Sequence, residues 1–255
     1  MPTTRRGAAL VTGAGKRIGR ALALSLAQSG YDVGVHYNSS KSEAEEVVAL
    51  VRAMGRQAVA IQGDLSKEAQ TAALTATANA ALGPLNLLVN SASLFEHDDV
   101  DTMTRESWDH HMETNLRAPL KLSQDFAHQI VSEENNLIVN IIDQRVLKLT
   151  PQFLSYTASK AALWSLTKTL AQALGPKNIR VNAIGPGPTL KNPRQSDADW
   201  ARQNEATILG HGATPDDICA ALHYLVAAQA VTGQMIAVDG GQHLVWKTPD
   251  VEVKE

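Results

Sequence analysis

Seven short aliphatic runs recur along this chain, each followed by a stretch of helical periodicity, and that alternation constrains the fold more than any other feature. The runs fall at 8–12, 32–36, 58–62, 85–90, 137–142, 180–184 and 235–238. Strands separated by helices have to pair in parallel, because an antiparallel pair closes through a tight turn whereas a parallel pair needs a crossover. Helices then cover both faces of one α/β sheet. No internal repeat, low-complexity tract or linker interrupts the 255 residues, so a single domain over 1–255 is expected. The one long irregular stretch is 185–196, carrying Pro186, Pro188 and Pro193, with Pro215 marking its far side. Irregular segments of that length in compact domains are usually functional or disordered.

Composition removes several classes of function. The net charge is −3, so the chain offers no basic field to collect phosphate backbones or anionic lipid, and no nucleic-acid or membrane partner is expected. No uncharged apolar stretch approaches the length of a membrane span, and the run 8–11 is too short for the core of a signal peptide. Cys219 is the only cysteine, which rules out an intrachain disulfide and fits a cytoplasmic setting.

The segment Val11-Thr12-Gly13-Ala14-Gly15-Lys16-Arg17-Ile18-Gly19 follows the first strand and opens a helix that reaches Ser29 and stops at Gly30. Glycines there let backbone approach a pyrophosphate, and the helix N-terminus offers free N–H groups and a positive dipole end. Sites for NAD place an acid at the end of the second strand, where it holds the ribose 2′-hydroxyl. Here that strand ends in His36-Tyr37-Asn38-Ser39-Ser40-Lys41. A histidine, a lysine and neutral donors suit a 2′-phosphate, so NADPH is expected rather than NADH. The same residues also read as a polar turn in which Ser39 or Ser40 caps the next helix.

Tyr156 and Lys160, four apart, share one face of a helix that continues through Leu163, Leu166 and Leu170. A phenol needs a neighbouring cation to exchange its proton readily near neutrality, and Lys160 is placed to supply it.

Taken together these elements resemble the short-chain dehydrogenase/reductase family over nearly the whole chain. The resemblance rests on Thr12 through Gly19, Asp64-Leu65, Asn90-Ser91-Ala92-Ser93, Asn115, Tyr156 with Lys160, Pro186-Gly187 and Val238-Asp239-Gly240-Gly241. It implies a Rossmann-type doubly wound sheet of about seven strands in the order 3-2-1-4-5-6-7, with the cofactor across the carboxyl ends. It implies cofactor contacts from Gly13, Lys16, Arg17, Ile18, His36, Asn38, Ser39, Ser40, Asp64, Leu65, Asn90, Ser91, Ala92, Tyr156, Lys160, Pro186, Gly187 and Thr189. It further implies a homotetramer built on the helices at 115–130 and 156–174.

Two departures are informative. Arg17 stands at the family's middle glycine, and Asp143 stands where the family has its catalytic serine, thirteen positions before Tyr156. An ionised aspartate cannot donate to a substrate carbonyl as serine does. Both departures, with His36-Tyr37 and Asn90-Ser91-Ala92-Ser93-Leu94-Phe95, are similar to the branch of pteridine reductases and dihydromonapterin reductases, the latter also described as alternative dihydrofolate reductases. That resemblance implies a dihydropterin or dihydrofolate substrate reduced to its tetrahydro form. Phe95 would stack on the ring, Ser93 and Arg17 would bind its polar edge, and Leu190 would lie beside it. Asp143 and Tyr156 would relay a proton, while Asn115 would hold a water joining Lys160 to solvent. The loop at about 187–212 would choose the pterin side chain.

Each residue has a plainer reading: Phe95 as a core aromatic, Asp143 as an exposed acid beyond a strand end, Asn115 as a helix asparagine bonded to its own backbone. Two other functions remain open. One is a carbonyl reductase of this fold, acting on an oxoacyl or sugar substrate with Asp143 partly protonated and acting as the serine would. The other is a catalytically silent NADPH-binding regulator, against which the retention of Asn115, Tyr156 and Lys160 argues. The histidines, among them adjacent His110 and His111, form no recognisable metal-ligand grouping.

Overall fold

The computed structural model describes residues 4–130 and 136–246, so the two ends of the expected domain lie outside the described residues. All seven expected strands are present in one wholly parallel sheet of order β3-β2-β1-β4-β5-β6-β7. They are β1 (Gly7–Val11), β2 (Tyr31–Tyr37), β3 (Ala58–Gln62), β4 (Leu85–Asn90), β5 (Asn136–Ile141), β6 (Ile179–Pro186) and β7 (Met235–Val238). Side chains of β1 alternate between two apolar layers. Ala9 and Val11 join the layer that holds α1 (Arg17–Gln28), α2 (Lys41–Ala53) and α8 (Pro215–Ala227). Ala8 and Leu10 join the opposite layer with α3 (Glu68–Leu82), α5 (Ala118–Gln129) and α6 (Leu154–Leu174).

Helix α1 shows why these segments are helical. Gly19, Leu22, Ala23, Leu26 and Ala27 recur at spacings of three and four, and this stripe is buried against α8. Truncating Leu22 to alanine there would cost about 2–5 kcal/mol.

Two features depart from the sequence reading. The stretch after Gly187 is not wholly irregular, because α7 (Asp197–Glu205) forms inside it, with the Ser196 hydroxyl accepting from Asp199 N–H and acids in the first turn. This helix buries no residue, so no apolar stripe announced it. Pro215 belongs to α8, whose first turn carries a reciprocal capping box between Thr214 and Asp217.

Between α4 (Arg105–Met112) and α5 the backbone widens into one π-type turn, Glu113–Arg117. Pro119 explains it: proline has no N–H to give to the carbonyl of Asn115 four residues earlier, and its ring crowds that carbonyl. No helix among the described residues is long and apolar enough to cross a membrane.

Candidate active site

The carboxyl ends of the strands open into a cleft of about 930 Å³. Every site residue named from sequence lines it except Asn90 and Asn115.

The floor is built by the glycine loop. Gly13 has φ +64°, and a Cβ on it would meet the Cα of Ala92 at 2.9 Å. A Cβ on Gly19 would come within 2.3 Å of the Gly13 carbonyl oxygen, so the α1 N-terminus packs on the loop only with glycine at 19, and the loop closes on Ala92 only with glycine at 13. The buried Thr12 hydroxyl accepts from the N–H groups of Ser91 and Ala92 at 2.9 and 3.0 Å, which locks the end of β1 to the end of β4.

Both ring nitrogens of His36 are engaged within the protein. It is 1% exposed, its Nδ1 accepts from Gly13 N–H at 3.1 Å, and its Nε2 donates to the Gly63 carbonyl at 3.0 Å. Burial pushes its pKa down, so the ring stays neutral and holds the glycine loop. The groups open to the cleft at this end are Asn38, Ser39 and Ser40, together with Lys16, whose ammonium lies 2.7 Å from Glu43. Ser40 stands at the N-cap of α2 without a side-chain capping bond, so its hydroxyl is unengaged. Asp64 lies further along, held below the usual carboxylate range chiefly by the Ser66 hydroxyl.

Asn90 is inside the sheet. Its amide donates to Asn140, which in turn donates to Thr167, tying β4, β5 and α6 beneath the cleft.

At the catalytic end the Tyr156 hydroxyl donates to Asp143 Oδ2 at 2.8 Å, and Asp143 Oδ1 accepts from Arg145 N–H at 2.7 Å. Removal from water pushes Asp143 above its usual range, against the opposing Arg145 N–H and Tyr156 hydroxyl. Tyr156 is 5% exposed and held well above the usual phenol value, first by burial and then by the Asp143 charge. The expectation that Lys160 depresses the phenol is therefore overturned, because the near carboxylate and burial outweigh the more distant ammonium. Lys160, 2% exposed, donates to the Ile141 carbonyl at 2.8 Å, and burial lowers its pKa to about 8.

Asn115 bridges the loop after β4 and α6. Its carboxamide accepts from Leu94 N–H at 2.8 Å and donates to the Leu94 carbonyl at 2.9 Å and to Ser159 at 3.2 Å. The π-type turn points it across to the loop after β4, so it fixes the segment that carries Ser93 and Phe95. The self-bonded alternative does not describe it.

Phe95 is half-buried, with one face stacked on Phe153 at 4.4 Å and 7°, and the edge of Tyr156 at 4.7 Å and 75°. The Arg145 guanidinium lies 5.0 Å from the Phe153 centroid. Phe153 occupies the left-handed region at φ +59°, a conformation that costs a non-glycine residue about 1–2 kcal/mol. The neighbouring carboxylate of Asp98 holds this corner by accepting from Ser155 N–H and the Ser107 hydroxyl. Sequence reasoning missed Phe153, Asp98 and Arg145. A signal for the first did exist: the chain has three phenylalanines, Phe126 is core, and the other two meet here.

Arg17 has a positive φ, +52°, and its guanidinium donates to the carbonyls of Leu190 and Lys191 at 2.9 and 3.0 Å. From the same loop Arg194 donates to the Phe95 carbonyl at 2.8 Å. The loop thus crosses the cleft from the glycine turn to the stacked rings, with the Thr189 hydroxyl bonded to Gly187 beneath it. No cluster of three or more potential metal ligands occurs among the described residues.

Comparison with known proteins places this geometry. A family model described as enoyl-(acyl carrier protein) reductase matches residues 13–243. The 3-oxoacyl-[acyl-carrier-protein] reductase FabG of Staphylococcus epidermidis is 32% identical over 240 residues, spanning 92% of this chain and 98% of that protein. A short-chain type dehydrogenase/reductase of Picea abies is 31% identical over 252 residues, covering 92% and 91%. The crystal structure of FolM alternative dihydrofolate reductase 1 from Brucella suis with NADP superposes with TM-score 0.92 at 44% identity, covering 96% of this chain and 98% of that one.

Proposed function

The chain belongs to the short-chain dehydrogenase/reductase family, and from that premise we propose that it is an NADPH-dependent reductase of dihydropterins, dihydrofolate included, to their tetrahydro forms. The cleft suits the cofactor: the glycine cradle leaves no room for a Cβ, the first-turn N–H groups of α1 have no side-chain cap, and Ser39 and Ser40 stand where a carboxylate would repel a 2′-phosphate. When bound, NADPH supplies the hydride that reaches a ring carbon of the substrate.

The observation that carries the substrate reading is Asp143 on the Tyr156 hydroxyl. A ring C=N bond that accepts hydride at carbon needs a proton at nitrogen. Tyr156 alone is a poor donor, since its phenolate would lie buried against a carboxylate. Asp143, pushed toward its protonated form by burial, removes that obstacle: it passes a proton to the phenol oxygen as Tyr156 gives its own to the ring nitrogen. Phe95 offers a face for the flat heterocycle, backed by Phe153, and the Arg17 fork and Ser93 flank it. Asn115 and Asp98 act as positioning residues. A homotetramer through the helices at 115–130 and 156–174 accompanies this reading and is tested by light scattering.

The FabG likeness favours a second reading, reduction of an oxoacyl carbonyl, in which protonated Asp143 donates as serine would. NADPH oxidation measured against dihydrofolate, dihydrobiopterin, dihydromonapterin and 3-oxoacyl thioesters separates the two. Turnover confined to the dihydropterins is expected, and turnover confined to thioesters would overturn the proposal.

A further inference from the structure

We propose that a second cavity, at the amino-terminal edge of the sheet and at the opposite end of the strands from the catalytic cleft, binds a small oxyanion, a carboxylate or a phosphate. The cavity has a volume of about 300 Å³ and is formed where β1, β2, β4, β5 and β6 begin, closed by the last turn of α8. That is the lower end of the size range of ligand pockets. Its polar lining carries two guanidiniums, a phenol and the carboxamides of Asn86 and Gln229. Among the described residues the Arg6 guanidinium and the Tyr31 hydroxyl have no hydrogen-bond or ion-pair partner, although Tyr31 is only 6% exposed. Both Arg6 and Arg180 act electrostatically on Tyr31, whose burial keeps it protonated and hence a donor.

Among the described residues no acid lines the cavity. The nearest in sequence, Asp32, is engaged by Arg5 at 2.6 Å and by Gln57 N–H at 2.8 Å. The position of Arg6 is built rather than incidental. Its N–H donates to the Gly30 carbonyl at 2.9 Å, and its own carbonyl accepts from Asn86 at 3.0 Å. Gly7 makes that approach possible, since a Cβ there would lie 2.3 Å from the Asn86 amide oxygen, at a φ of +124°. Arg180 is anchored by donating through Nη1 to the carbonyls of Leu225, Ala228 and Val231, so its charge is held at the cavity wall. The free donors of Arg6 and Tyr31, the fixed charge of Arg180 and an apolar wall of Leu137 and Val226 together select an anionic oxygen group on a small body.

The test is thermal unfolding of the holoenzyme, saturated with NADPH so that phosphate subsites in the cleft are filled. Inorganic phosphate and malate are compared with chloride at equal ionic strength. One of the two is expected to raise Tm by about 3–6 °C at ten times its Kd. Tyr31→Phe should weaken that response about tenfold and Arg6→Gln should abolish it, with kcat unchanged in both. Equal shifts in the parent and both variants, or no shift beyond chloride with either probe, would overturn the proposal; Arg6 is exposed, so that variant remains informative if Tyr31→Phe unfolds.

Discussion

The two ends of the cleft are built on opposite physical terms. At the nucleotide end the buried polar groups are paired: His36 uses both ring nitrogens, Thr12 bridges two strands, and Gly13 and Gly19 carry the tight approaches. At the catalytic end Asp143 and Lys160 are ionisable groups removed from water, and Phe153 holds left-handed backbone that its side chain disfavours. The first end is a scaffold whose disruption should loosen the fold and the cofactor together. The second end stores unfavourable terms for chemistry, and relieving them should stabilise the protein while slowing it.

The largest expected effect sharpens that contrast. Tyr156→Phe should lower kcat for a dihydropterin by about 10²–10⁴-fold while leaving NADPH affinity nearly unchanged, as measured by single-turnover kinetics and cofactor titration. A comparable loss of cofactor affinity would mean that the two ends are not separable.

Next in size is the buried ammonium. Lys160 is lowered in the fold from 10.5 to about 8, so its contribution to stability is present above the ordinary lysine value and lost as pH falls through about 8. Near neutrality the folded state therefore carries a penalty of about 3 kcal/mol. Urea unfolding of the parent against Lys160→Met at about pH 7 and about pH 10 should show the parent gaining about 2–3 kcal/mol relative to the variant at the higher pH. A pH-independent difference would place the ammonium in a more polar site than its burial indicates.

His36→Phe tests the scaffold end. It leaves the Gly13 N–H and the Gly63 carbonyl unpaired, at about 1–3 kcal/mol for each buried group, and should weaken NADPH binding with kcat at saturation little changed. Smallest is cofactor choice, where Ser39→Asp should reduce the preference for NADPH over NADH about tenfold, or about 1.4 kcal/mol. Unchanged preference would move the 2′-phosphate away from this turn.

What sequence could convey differs between the ends for physical reasons. Strand positions were legible because fully buried parallel strands are continuous apolar runs, and all seven were placed within two residues at either end. The same property hid the orientation of His36: β2 is buried along its whole length, so no alternation marks which side chain faces the cleft. Asp143, Tyr156 and Lys160 were legible as types at fixed spacings, yet the direction of the Tyr156 shift was not, because it depends on how near Asp143 comes and how much water is excluded. Asn115 was identified, but its bonds to the Leu94 backbone were not legible, since its direction follows from the π-type turn that Pro119 imposes. Phe153 and Asp98 carry no motif, and their importance arises only when two loops meet.

The most direct test of the central claim, that Asp143 sets the reaction, is the ratio of kcat/KM for a dihydropterin to that for a small ketone, measured in the parent and in Asp143→Ser. Serine restores a hydroxyl that donates to a carbonyl but cannot pass a proton through Tyr156 from a carboxylic acid. The ratio is expected to fall by about 10²-fold or more, through loss of pterin reduction with ketone activity equal or higher. A serine variant that reduces dihydropterins as fast as the parent would contradict the role given to Asp143 and with it the chemical support for a pterin substrate.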